Sequence, residues 1–226
     1  LCPSTQHLGE ADHLLQGQQA YGEAGIFVAS AGDVDGDGLD DVLIGTEAER
    51  AHLILGSTLQ NTNALDLSVA DYTFLGENTD DKAGQIVTSA GDVDGDGLDD
   101  ILIGAQWNDS TGEDAGTIYL LYGSSLGSSS SISLSNADVR IFGENIDDNA
   151  GRSIASAGDV DGDGLDDILI GAHWNDDGGN KAGKGYLVLG SSLQQTTTLS
   201  LSSADYSFVG ENAGDEAGVS VASAGD

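Results

Sequence analysis

Methionine is absent from this 226-residue chain, proline and cysteine occur once each, and only six residues are lysine or arginine. The shortage of positive charge is the most restrictive of these. Against it stand 39 aspartates and glutamates, for a formal net charge of −33. That balance excludes nucleic acid or an anionic membrane surface as a partner, because both require a basic face. The single Cys2 cannot close a disulfide within the chain and is read as a free thiol of no consequence. No run reaches the roughly 18 apolar residues of a spanning helix, so no membrane insertion is expected. A helical period of 3.6 is sustained nowhere. The missing methionine, a start in mid-pattern and an end inside a motif lead to the expectation of a piece of a longer protein.

What the chain has is glycine, 34 residues of it, and one acidic string repeated three times. D-V-D-G-D-G-L-D-D stands at Asp33–Asp41, Asp92–Asp100 and Asp159–Asp167. Carboxylates occupy positions 1, 3, 5 and 9, and the leucine at position 7 is free to offer its carbonyl. Hard cations such as calcium take six to eight oxygens at about 2.3–2.6 Å, and acids on alternate residues of a short loop turn such oxygens inward. Gly38, Gly97 and Gly164 allow the sharp bend, since glycine reaches positive φ without a Cβ clash. Four close carboxylates without a cation would repel, which argues against a metal-free acidic turn. Three divalent ions would offset about six charges and leave most of the acidic surface to solvent.

The loop sits inside a longer repeat. A-D-Y-T-F-L-G-E-N-T-D-D-K-A-G from Ala70 returns from Ala137 and Ala204, with a diverged copy from Ala11. This divides the chain into repeats at about 11–69, 70–136 and 137–203, and an incomplete one at 204–226. Each repeat reads as four short strands. In the second they fall at Tyr72–Glu77, Gln85–Gly91, Asp100–Gln106 and Gly116–Gly123. Ile101–Gly104 is continuously apolar, as for a strand covered on both faces. The strand before each acidic loop is instead made of small residues, as needed where several sheets converge on an axis. Four-stranded units in tandem give an all-β fold of β-propeller blades.

An EF-hand shares the first six positions of the loop but needs a bidentate glutamate at position 12 between two helices. Position 12 here is Ile44, Ile103 or Ile170, inside the following strand, so this is a strand-to-strand calcium turn. The whole pattern resembles FG-GAP repeats, the units of integrin α-subunit propellers and of bacterial surface proteins. Gly84, the string Gly91–Asp100 and Gly104-Ala105-Gln106 carry the likeness. So do Gly151, Gly158–Asp167 and Gly171-Ala172-His173, and Gly25, Gly32–Asp41 and Gly45-Thr46-Glu47. Alanine replaces the phenylalanine of F-G at Ala24, Ala83, Ala150 and Ala217, and the proline of G-A-P is missing. These departures point to a bacterial-type relative.

The resemblance implies a seven-bladed ring with calcium loops on one rim and about one Ca²⁺ per complete repeat. Its ligands would be Asp33, Asp35, Asp37, Asp41 and the Leu39 carbonyl in the first loop. In the second they would be Asp92, Asp94, Asp96, Asp100 and Leu98, and in the third Asp159, Asp161, Asp163, Asp167 and Leu165. Asp40, Asp99 and Asp166, at position 8, are expected to face solvent. A calcium-binding adhesion or protein-binding module is implied, on an extracellular or cell-surface protein, because weak calcium loops would stand empty in the cytosol. The alternatives are a glycan-binding lectin-like propeller and a non-catalytic propeller appended to a secreted hydrolase.

Enzyme-like matches fail on context, and no active site is expected. Gly123-Ser124-Ser125-Leu126-Gly127 fits G-x-S-x-G but should not lead into the helix of a nucleophile elbow. Gly178 to Lys184 nearly forms a P-loop, with Gly185 where a magnesium-binding hydroxyl belongs. His7, His13, His52 and His173 have no metal spacing. Asn108-Asp109-Ser110 is a formal glycosylation sequon, expected to mark an exposed loop. Trp107 and Trp174 follow the G-A-x turns; each is expected to pack over the neighbouring blade, the second reading being a ligand surface.

Overall fold

The computed structural model describes residues 13–17, 23–62, 64–194 and 196–225. Cys2, His7, the opening of the diverged copy at Ala11 and the last acid, Asp226, lie outside the described residues. The first strands are β1 (Leu14–Gln16), β2 (Val28–Gly32), β3 (Asp41–Gly45), β4 (Arg50–Ile54), β5 (Ala64–Asp66) and β6 (Tyr72–Leu75). The middle of the chain forms β7 (Ile86–Gly91), β8 (Asp100–Ala105), β9 (Thr117–Leu121), β10 (Ser131–Ser133) and β11 (Val139–Phe142). Then come β12 (Ser153–Gly158), β13 (Asp167–Ala172), β14 (Lys184–Val188), β15 (Thr198–Ser200) and β16 (Tyr206–Val209). The four strands expected in the second repeat are all present as β6 to β9, each within a few residues of its expected bounds.

Three sheets make three propeller blades, with strand orders β10-β6-β4-β3-β2, β15-β11-β9-β8-β7 and β12-β13-β14-β16. Blade and sequence repeat are out of phase. The strand that opens each repeat, such as β6, is the outer antiparallel strand of the preceding sheet, paired with β4. The next repeat also lends a three-residue edge strand, parallel to that outer strand: β10 on β6 and β15 on β11. Consecutive blades are thereby joined by chain crossings as well as by packing. A buried leucine follows each edge strand in a single 3₁₀ turn (Leu67, Leu134, Leu201).

The inner strands β2, β7 and β12 lie side by side, β7 against both of the others. Their V-A-S-A-G, I-V-T-S-A-G and S-I-A-S-A-G sequences leave room for that approach. All six residues of β8 are buried, because both faces of the middle blade are covered. One core cluster between the first two blades includes Leu43, Leu53, Phe74, Ile101, Ile103 and Tyr119. The next, between the second and third, holds Leu102, Leu120, Ile141, Ile154, Ile170 and Tyr186. Alternate residues of one strand therefore serve two different interfaces, as the two-residue period of a strand requires. Each inner strand breaks register just before the acidic loop, at Ser30/Gly32, Ser89/Gly91 and Ser156/Gly158. Such a bulge bends the strand and redirects the chain into the acidic loop.

Candidate metal centre

The acidic loops connect β2 to β3, β7 to β8 and β12 to β13, the same corner of each blade. Gly38, Gly97 and Gly164 have φ of 87°, 89° and 92°, so the left-handed bend expected from sequence is present in all three. The carboxylate at position 1 organises the loop. Asp92 Oδ1 accepts from Gly95 N–H at 2.7 Å and Asp96 N–H at 3.1 Å, and its Oδ2 accepts from Gly97 N–H at 2.9 Å. Asp33 and Asp159 make the same three bonds. Asp94 Oδ1 accepts from Asp96 N–H, and Asp96 Oδ1 from Leu98 N–H.

The result gathers side-chain oxygens. Asp33, Asp35 and Asp37 each bring one to within 4.8 Å of the others, as do Asp92, Asp94 and Asp96. In the third loop the group is Asp159, Asp161 and Asp167. Calcium–oxygen distances of about 2.4 Å put opposite ligands about 4.8 Å apart, and an all-oxygen, mostly exposed donor set suits a hard cation. The donor chemistry thus fits calcium. Asp41 and Asp100 are not drawn into the first two groups, nor Asp163 into the third.

Position 9 also ties the loop to its blade. Asp100 Oδ2 accepts from Val93 N–H at 2.9 Å and Oδ1 from Gly123 N–H at 3.0 Å, so it ties the start of the loop to the turn after β9. Asp41 and Asp167 bind Val34 and Gly56, and Val160 and Gly190, in the same way. All three side chains are buried. Burial pushes the Asp100 carboxyl up to about 7 and that of Asp41 up to about 6, the amide hydrogen bonds opposing it.

Position 8 corrects the expectation of a solvent-facing side chain. Asp99 Oδ2 accepts from Asp33 N–H at 2.8 Å, and Asp166 Oδ2 accepts from Asp92 N–H at 2.9 Å, each in the preceding blade. Only Asp40 is exposed. A single-sequence reading misses these contacts because they join residues 66 and 74 positions apart.

The opposite rim carries the loops after β3, β8 and β13, since an antiparallel strand returns to the far end. Trp107 is 40 % exposed there, against the packing expectation, whereas Trp174 is half-buried. Lys82 Nζ lies 5.1 Å from the Trp107 ring centre and Lys181 Nζ 3.5 Å from that of Trp174. Asn108 corrects the sequon reading: it is fully buried and donates to Asp81 Oδ2 at 2.6 Å. Asn175 repeats the bond to Asp148. Gly123–Ser125 is one 3₁₀ turn with no helix after it, and Lys184 is held by Glu144 and Asp177, both at 2.7 Å, so neither enzyme-like motif forms its site. Among the described histidines, His13 bonds to the Thr62 carbonyl and His52 to Thr73 Oγ1, while His173 rests on Trp174.

The FG-GAP repeat model matches residues 24–64, 83–121 and 150–188, together more than half of the chain. Integrin alpha pat-2 of Caenorhabditis elegans is 29 % identical over 203 residues, which are 84 % of this chain and 15 % of that protein. Integrin alpha-PS2 of Drosophila melanogaster is 27 % identical over 177 residues, 72 % of this chain and 12 % of the relative. Integrin alpha-5 of Xenopus laevis is 32 % identical over 152 residues, 65 % of this chain and 13 % of the relative. The chain therefore spans a small part of the integrin chains it matches. With acidic turns at one corner of three successive blades, and a family model aligned to each of those blades, the chain belongs to the FG-GAP repeat family.

Proposed function

We propose that this chain is a calcium-stabilised propeller module that binds a protein ligand on an exported, cell-surface or extracellular protein. The observation that carries the reading is a three-carboxylate cluster at the same corner of three blades, organised each time by the same hydrogen bonds to the position-1 aspartate. Asp33, Asp35, Asp37 and Asp41 with the Leu39 carbonyl would hold one ion. Asp92, Asp94, Asp96, Asp100 and Leu98 would hold the second, and Asp159, Asp161, Asp163, Asp167 and Leu165 the third. Bound calcium would supply positive charge that offsets carboxylate repulsion and fixes the loop. Extracellular calcium modules bind at about 10⁻⁴–10⁻³ M, so millimolar calcium contributes on the order of 0.5–1.5 kcal/mol per site.

The likeness to integrin alpha chains supports a ligand-binding role outside the cell. The ligand surface is the rim opposite the acidic loops, with Trp107 exposed on it. Lys181 covers one face of Trp174, which favours a protein partner over a sugar stacked on both rings. Calorimetric titration with calcium tests the metal assignment. The expected result is about one ion per complete repeat, with one lost in Asp94→Ala/Asp96→Ala; unchanged stoichiometry in that variant defeats the ligand set.

A further inference from the structure

The acidic loops are not independent of one another. Asp99 and Asp33 form a two-bond clasp: Asp33 N–H donates to Asp99 Oδ2 at 2.8 Å, and Asp99 N–H donates to the Asp33 carbonyl at 3.2 Å. Asp166 and Asp92 repeat it at 2.9 and 3.0 Å. The contact has no slack. A Cβ at Gly32 or Gly91 would collide with the Asp99 or Asp166 carboxylate, and one at Gly36 or Gly95 would press on Leu98 or Leu165. Hence the segment that clasps one loop, residues 98–100, also carries the seventh and ninth positions of its own loop. The residue it grips, Asp33, is the first position of the loop before, whose carboxylate takes three amides of that turn.

We infer that Asp99 and Asp166 are positioning residues that couple the calcium sites of neighbouring blades, so that filling one loop raises the affinity of the next. This rests on the calcium reading of the loops. An ion that orders Leu98 and Asp100 also fixes Asp99 between them, and Asp99 then holds Asp33 by its main chain. Linkage makes the effect reciprocal. Asp40 is exposed and clasps nothing among the described residues, and the Asp159 N–H has no such partner there either.

The test is calcium calorimetry on the whole chain and on Asp99→Ala, Asp99→Asn and Asp40→Ala, each confirmed folded by circular dichroism in chelator. Asp99→Ala and Asp40→Ala remove the same charge from the same loop position, but only the first opens a clasp. The expected result is positive cooperativity in the parent. Asp99→Ala should weaken binding about fivefold or more and lose cooperativity, Asp99→Asn should keep most of it through its amide oxygen, and Asp40→Ala should match the parent. In chelator, the Asp33 amide should exchange with deuterium faster in Asp99→Ala than in Asp40→Ala. Equal affinities for the two alanine variants, with calcium still bound by the parent, overturn the coupling and leave the metal assignment standing. No calcium uptake by the parent overturns both.

Discussion

Replacing Asp100 with alanine removes the acceptor for two buried amides, those of Val93 and Gly123. Leaving buried donors unpaired costs about 1–3 kcal/mol each. The part of this cost not offset by relieving a desolvated carboxylate should appear in chelator, with no cation present. Asp96, by contrast, is exposed and accepts only a local bond from Leu98 N–H. Asp96→Ala should cost less than about 1 kcal/mol without calcium. Urea unfolding in chelator separates the two; equal losses would contradict a structural task for position 9. His52 provides a pH dependence. It is buried, and desolvation, with Arg50 adding to it, lowers its pKa. The unfolded chain therefore takes up a proton near pH 6.5 that the folded chain refuses. The stability at stake is complete above that pH and is lost as pH falls towards the depressed folded value. In calcium, the parent should lose more stability than His52→Gln between pH 7.5 and 5.5 (about one unit either side of the unfolded pKa); parallel curves would count against it.

Among the elements, β7 is the most constrained because it lies between β2 and β12. Ala90 is completely buried there, whereas Ala157 of β12 is half-buried. Ala90→Leu should cost about 1–3 kcal/mol by overpacking, and Ala157→Leu clearly less, by the shift in urea midpoint. An equal tolerance would mean that the inner strands do not converge. This small-residue strand was legible in the sequence, as were the apolar β8 and the glycine-bent loop, because each depends on its own residues. The edge strands β5, β10 and β15 were not, since three residues such as Ser131–Ser133 carry no period. The only local signal was the recurring leucine of D-L-S-V-A-D, S-L-S-N-A-D and S-L-S-S-A-D. The phase shift between blade and repeat was hidden for another reason: a repeat fixes spacing, not which neighbour a strand pairs with. The same limit applies to the clasp of Asp99, whose partner lies one blade away.

At the scale of the whole molecule, the two rims have different chemistry. Arg50, Lys82, Arg152, Lys181 and Lys184 stand at or near the rim with Trp107, Arg140 lies mid-strand in β11, and no acidic loop contains a cation. That leaves the acidic loops to be neutralised from solution. A chain of net charge −33 gains from any bound cation that offsets self-repulsion. On the proposed reading, calcium would connect the residue scale to the assembly by filling loops that Asp99 and Asp166 join to the blade before. The most direct measurement is a long-wavelength anomalous difference map from crystals grown in millimolar calcium. Peaks are expected among Asp33, Asp35 and Asp37, among Asp92, Asp94 and Asp96, and beside Asp159 and Asp161. Ordered loops without anomalous density at that calcium concentration would contradict the metal assignment outright.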